Sequence, residues 1–154
     1  MISVRDIMTP EVLSLDPDTS IRQAAEMFAT ERVGGAPVVR HGHVVGMLTA
    51  QDVLDFISSL SVEPAEVRAV SEQGILDDHT VEEAMTRAPI RSLSPDTKVD
   101  LAAEIMRRER VHRLPVIEGD RLVGIVSTLD FVRAVADRRL SHRTFVFPRH
   151  GTVV

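Results

Sequence analysis

The chain has no cysteine, and that absence removes several kinds of protein at once. Disulfide cross-links are excluded, as are metal sites built on thiolates, which fits a reducing cytoplasmic setting. No run of 18 apolar residues occurs, so no membrane-spanning helix is expected. The first residues lack a basic segment followed by an apolar stretch, so no secretory signal is expected either. Surplus positive charge is also missing. With 23 acidic and 18 basic residues the formal net charge is −5, which argues against general nucleic-acid binding. No Ser/His/Asp or Cys/His set has the context of a nucleophile, so the sequence does not read as an enzyme. The glycines of Val33-Gly34-Gly35 are not followed by the Gly-Lys-Ser/Thr of a phosphate-binding loop. What is plentiful is apolar residues, 44% of 154, enough for one compact core or two small repeats sharing one.

Those residues are arranged twice. Gly46-Met47-Leu48-Thr49-Ala50-Gln51-Asp52 and Gly124-Ile125-Val126-Ser127-Thr128-Leu129-Asp130 lie 78 positions apart, and with that shift residues 17–54 and 95–132 are identical at 14 positions. Shared positions include Pro17/Pro95, Asp18/Asp96, Thr19/Thr97, Ala24/Ala102, Val33/Val111, Pro37/Pro115 and Val38/Val116. Self-similarity at a fixed offset is the mark of a duplicated module. Each copy reads as helix, strand, strand, helix. Pro17-Asp18-Thr19 and Pro95-Asp96-Thr97 are expected to open helices with the threonines as caps, Thr97 forming a capping box with Asp100. Ile21, Ala24, Ala25 and Phe28 then share one helix face, as do Val99, Ala102, Ala103 and Met106. Ala36-Pro37-Val38-Val39 and Leu114-Pro115-Val116-Ile117 are expected strands. Short turns lead from them into second strands at residues 44–48 and 122–126, and final helices start near Ala50 and Thr128. Neither half holds enough core to stand alone.

Each repeat resembles a cystathionine-β-synthase (CBS) domain, and the tandem resembles a Bateman module. The first copy runs from Val4-Arg5-Asp6-Ile7-Met8-Thr9-Pro10 through Asp52 to about residue 60. The second runs from Val81-Glu82-Glu83-Ala84-Met85-Thr86 through Val111-His112-Arg113-Leu114-Pro115-Val116 to Asp130 and about residue 139. That organisation makes residues 1–60 and 80–139 two CBS domains, 61–79 their connection and 140–154 a tail. The fold class is α/β (α+β), each repeat a small sheet with flanking helices. The resemblance implies packing about a pseudo-twofold axis, with adenosine-type ligands in clefts between the repeats.

Thr49-x-x-Asp52 and Ser127-x-x-Asp130 have the spacing of a capping box, a purely structural feature. The same geometry can bind: a helix N-terminus with a hydroxyl suits an anion, and a carboxylate one turn in can accept both hydroxyls of a ribose. In proteins that resemble this one, that Asp binds ribose and the Thr/Ser helps hold phosphate. The copies differ before the shared proline, where Val111-His112-Arg113-Leu114 stands against Val33-Gly34-Gly35-Ala36. Imidazole and guanidinium are good phosphate ligands. In adenylate-sensing modules of the AMP-activated protein kinase type, a His-Arg pair here contacts phosphate. Carried over, Met47, Thr49 and Asp52 would share a site with Ile90, Val111, His112 and Arg113. Ile125, Ser127 and Asp130 would face only Val33, Gly34 and Gly35, a weaker site, an empty one, or one for a neutral or cationic adenosine derivative.

Other features read as structural. His41-Gly42-His43 is a turn with exposed imidazoles rather than a metal pair. Met8, Met27, Met85 and Met106 fill core. Residues 61–79 carry Glu63, Glu66, Glu72, Asp77 and Asp78 against Arg68, a solvated connection with one helical turn around residues 64–69. Arg133, Arg138, Arg139, Arg143 and Arg149 make the tail basic, with Phe145, Val146 and Phe147 as an apolar knot. It reads first as an arm docking on a neighbouring subunit, ahead of one that touches nucleic acid or an acidic partner, and otherwise as a frayed end. The expected function is a regulatory sensor of AMP, ADP or ATP, with no required cofactor, acting on a partner the residues do not name. A homodimer is expected through Leu54, Ile57, Val132 and Val135. The competing readings are an S-adenosylmethionine-binding module and an unliganded dimerisation scaffold.

Overall fold

A computed structural model describes residues 1–60 and 74–140. The turn expected at 64–69 and the distal arm with Arg143 and Arg149 lie outside these residues. The elements are α1 (Val4–Ile7), α2 (Ile21–Glu31), β1 (Gly35–Arg40), β2 (His43–Thr49) and α3 (Ala50–Ser59), then α4 (Ile75–Asp78), α5 (Val81–Ala84), β3 (Thr86–Arg87), α6 (Val99–Glu109), β4 (Arg113–Glu118), β5 (Arg121–Ser127) and α7 (Thr128–Ala136). The expected order of helix, strand, strand, helix is present in both copies. Its cause is the switch from apolar residues three and four apart to short β-branched runs either side of Pro37 and Pro115.

The described chain divides into two compact units, and their membership does not follow the sequence repeats. Among the described residues, one comprises 12–60, 74–91 and 119–122; the other comprises 1–11, 92–118 and 123–140. We call them the first-repeat and second-repeat units. Each has its own core, and each core contains the opening segment of the other copy. In the first-repeat unit Val81 and Met85 pack with Leu15, Ile21, Phe28, Val38 and Leu48. In the second-repeat unit Val4 and Ile7 pack with Leu93, Val99, Met106, Val116 and Val126. Val4 and Val81 are both fully buried.

Backbone hydrogen bonds fix this exchange. The N–H groups of Val4 and Arg5 donate to the carbonyls of Thr97 and Pro95, at 2.8 and 2.9 Å. Those of Val81 and Glu82 donate to Thr19 and Pro17, at 2.8 and 3.0 Å. The repeated Pro-Asp-Thr is thus a carbonyl platform for an incoming helix start, and not the helix cap expected of it. The caps fall one residue later, at Ser20 and Lys98. Ser20 forms a capping box with Gln23, whereas Lys98 offers no side-chain bond, and Asp100 Oδ1 accepts from Leu101 N–H instead.

Past α1 and α5 the exchanged segments meet a strand. Thr86 pairs with Met47 and Arg87 with Gly46, making the three-stranded antiparallel order β1-β2-β3. Thr9 pairs with Ile125 through reciprocal backbone bonds of 2.9 and 3.0 Å, beside the two-stranded β4-β5 sheet. These crossings explain the repeated glycine. A Cβ on Gly46 would strike the Met85 sulfur and lie 2.8 Å from the Thr86 carbonyl; one on Gly124 would meet the Met8 sulfur at 2.5 Å. No side chain fits where the opening segment lies so close to the strand.

Candidate functional site

Both Gly-x-x-Thr/Ser-x-x-Asp segments end a strand and start a helix, β2 into α3 and β5 into α7. At the first, the Thr49 hydroxyl accepts from the Asp52 N–H at 3.1 Å and Asp52 Oδ2 accepts from the Thr49 N–H at 2.8 Å. The N–H of Ala50 donates to the Gly34 carbonyl at 2.9 Å. This is the closed capping box that the spacing predicts, and it leaves the helix start less open to an anion than free N–H groups would. Two groups stay available. Asp52 is only partly buried, and its Oδ1 has no partner among the described residues. The hydroxyl hydrogen of Thr49 likewise has none there.

The second copy is more fully closed. Asp130 is 6% exposed, a buried carboxylate. Its Oδ2 accepts from the Ser127 N–H at 2.7 Å and from the Ser127 hydroxyl at 3.0 Å. Its Oδ1 accepts from the Thr9 hydroxyl at 3.3 Å. The N–H of Thr128 donates to the His112 carbonyl at 3.0 Å, as Ala50 does to Gly34. Thr9 is a functional candidate that sequence reasoning missed. Its signal was the Met-Thr pair shared by Met8-Thr9 and Met85-Thr86, 77 residues apart.

Arg113 opens β4. Its guanidinium Nη1 is buried with no hydrogen-bond partner among the described residues, and burial lowers its pKa from the ordinary arginine value. Arginine keeps its charge throughout the ordinary pH range, so a half-buried, unsatisfied guanidinium favours an approaching anion. The neighbouring His112 side chain is exposed, and Val111 packs against the second-repeat core. Met47, Thr49, Asp52 and Ile90 belong to the first-repeat unit; Val111, His112, Arg113, Ile125, Ser127 and Asp130 belong to the second. Met47 is buried on β2 opposite Thr86, and Ile125 is partly buried opposite Thr9. Among the described residues no cluster of three His, Cys, Asp or Glu side chains could hold a metal ion, and no helix is long and apolar enough to cross a membrane.

These features define a duplicated α/β module. The CBS domain family model matches residues 4–59 and 81–137, and the chain belongs to that family. It is 31% identical over 130 residues to the CBS domain-containing protein YhcV of Bacillus subtilis, covering 84% of this chain and 83% of that protein. It is 30% identical over 131 residues to protein MJ1225 of Methanocaldococcus jannaschii, where the match spans 84% of this chain but 41% of the relative. The CBS domain pair of protein MJ0100, solved with 5′-methylthioadenosine and S-adenosyl-L-methionine, covers 90% of this chain and 98% of its own at 26% identity and a TM-score of 0.70. CBSX2, solved with AMP, covers 91% and 100% at 25% identity and a TM-score of 0.73. Similarity to the inosine-5′-monophosphate dehydrogenase of Mycobacterium leprae spans 21% of that enzyme.

Proposed function

We propose that this CBS pair is a regulatory sensor of an adenosine-containing ligand, with AMP, ADP or ATP preferred. The observation that carries the reading is an unsatisfied group at the expected position in each unit: Oδ1 of Asp52 and the buried Nη1 of Arg113, neither with a partner among the described residues. A carboxylate with unused acceptor capacity suits a ribose diol, and an unsatisfied guanidinium suits a phosphate. The AMP bound by CBSX2 supports an adenine nucleotide. The 5′-methylthioadenosine and S-adenosyl-L-methionine bound by the MJ0100 pair favour a second reading, in which the ligand carries no phosphate. Arg113 bears on the choice, since a phosphate gains from its charge and 5′-methylthioadenosine carries no anion to pair with it.

Signalling follows from differential binding. A ligand shifts the module between two shapes only by its difference in affinity for them, typically about 1–3 kcal/mol, and a partner protein reads the result. Exposed Leu54 on α3, and Leu129, Val132 and Val135 on α7, supply apolar area for a homodimer. Ile57 is set aside for that role, because it packs against the first-repeat core.

The test is thermal unfolding against AMP, ADP, ATP, adenosine and S-adenosylmethionine, followed by calorimetry. Ligand at 100 times its dissociation constant stabilises by about 2.7 kcal/mol. Loss of a nucleotide shift in both Asp52→Ala and Arg113→Ala is the expected outcome. A nucleotide shift unchanged in Arg113→Ala removes the phosphate assignment. No shift with any compound leaves the scaffold reading.

A further inference from the structure

Thr9 and Thr86 hold equivalent places, one in each exchanged opening segment, and each lies antiparallel to the residue two before the Thr/Ser of the ribose-type motif. Thr86 lies opposite Met47, and Thr9 opposite Ile125. They differ in what the hydroxyl does. The Thr9 hydroxyl donates to Asp130 Oδ1 at 3.3 Å, while Asp52 Oδ1 receives nothing from Thr86. The strand contacts differ as well. Arg87 extends the Thr86 pairing by one residue along β2, but Thr9 is followed by Pro10, which has no N–H to continue a ladder. Thr9 therefore makes a single bridge, pinned by the Ile125 backbone on one side and by Met8 over Gly124 on the other.

We propose that Thr9 is the specificity-determining residue of the second half-site, an internal stand-in for one ligand hydroxyl that keeps a ribose diol off Asp130. The inference rests on the reading of these carboxylates as ribose acceptors. A diol needs acceptor capacity facing outward. Asp130 is 6% exposed, and both its oxygens already accept: Oδ2 from the Ser127 N–H and hydroxyl, Oδ1 from Thr9. The Thr9 donor comes from a segment 121 residues away in sequence. It can be removed without touching the Ser127–Asp130 capping box, which makes Thr9 separable from the helix start it guards. The ligand class that the second half-site then favours is an adenosine compound bound without the diol contact, or none.

The experiment is isothermal titration of AMP and S-adenosylmethionine into the full chain and its Thr9→Val and Thr9→Ser variants, with thermal unfolding of each. Thr9→Val is isosteric but cannot donate, so its free form should unfold at a lower temperature with Asp130 Oδ1 unpartnered. Bound ligand should restore that loss. The expected result is a second binding event, or one about tenfold tighter than wild type, the size of one hydrogen bond to a charged acceptor. That gain should vanish in Thr9→Val/Asp130→Asn and be absent in Thr9→Ser. Equal destabilisation of Thr9→Val with and without ligand, at unchanged stoichiometry and affinity, overturns the proposal and leaves the sensor reading standing. No binding to any variant, wild type included, overturns both.

Discussion

Asp52 and Asp130 occupy the same place in the same seven-residue segment, yet one end of the duplication is open and the other closed. Asp52 has one oxygen in its capping box and one without a partner among the described residues; Asp130 is buried and receives three donors. The Thr49 hydroxyl accepts from the backbone and keeps its hydrogen, while the Ser127 hydroxyl gives its hydrogen to Asp130. Duplication supplies two copies of a helix start that can either stabilise or bind. A buried carboxylate with both oxygens partnered within the fold contributes stability and has less to offer a ligand. One left half-met contributes less and has more. The opening segments create the difference, because only Thr9 reaches the carboxylate beside its strand.

The largest expected effects test the exchange that brings Thr9 there. Val4→Ala and Val81→Ala each remove two methyl groups from a fully buried position, costing about 2–4 kcal/mol. The location of the loss matters more than its size. Val4→Ala should lower hydrogen-exchange protection at 93–126, in the second copy, and Val81→Ala should lower it at 15–49, in the first. Loss of protection in each mutated segment's own sequence repeat would break the account. Next comes the comparison of the carboxylates. Asp130→Ala strands Thr9 and Ser127, both partly buried, and should cost about 2–3 kcal/mol; Asp52→Ala should cost about 1 kcal/mol. Denaturant titration without ligand reads both, and equal costs would erase the open and closed distinction. Smaller again is the unmatched cap of α6. Lys98→Ser gives that helix the residue type its counterpart has in Ser20, and should add about 0.5 kcal/mol, limited because Asp100 already accepts from Leu101 N–H.

The sequence made the repeat, the strand pairs and the final helices legible, because periodicity and capping spacing are local. Thr49–Asp52 and Ser127–Asp130 were readable as capping boxes for the same reason. Two things were not. The exchange joins Val4 to Thr97 and Val81 to Thr19, and no local pattern distinguishes that docking from each segment serving its own copy. The misplaced caps follow from it: a Thr after Pro-Asp looks like an N-cap until its carbonyl is needed by the incoming segment. The Thr9–Asp130 bond was hidden likewise, since both copies carry the threonine and only one uses it. Arg113 was picked out by its difference from Gly35, though its unsatisfied nitrogen is visible only in the packed structure.

The opening helices offer the finest comparison, through acid. Asp6 sits three residues after the Ser3 cap and accepts from the Ser3 N–H at 2.8 Å and its hydroxyl at 3.0 Å; the Ser3 N–H is the main reason its pKa lies below the ordinary 3.8. Glu83 accepts from the Thr80 N–H at 2.7 Å, which chiefly draws its pKa below 4.5, with His79 adding to the shift. A carboxylate depressed on folding contributes stability that is present above its unfolded pKa and lost as pH falls through the folded one. Both groups are at the surface, so solvent screening keeps each contribution small. The unfolding midpoint should hold between pH 5 and 7, then decline first through Glu83, below the ordinary 4.5, and next through Asp6, below 3.8. Glu83→Gln should flatten the earlier part of that decline and Asp6→Asn the later part. An acid limb unchanged in both variants would show that the matched caps do not set it.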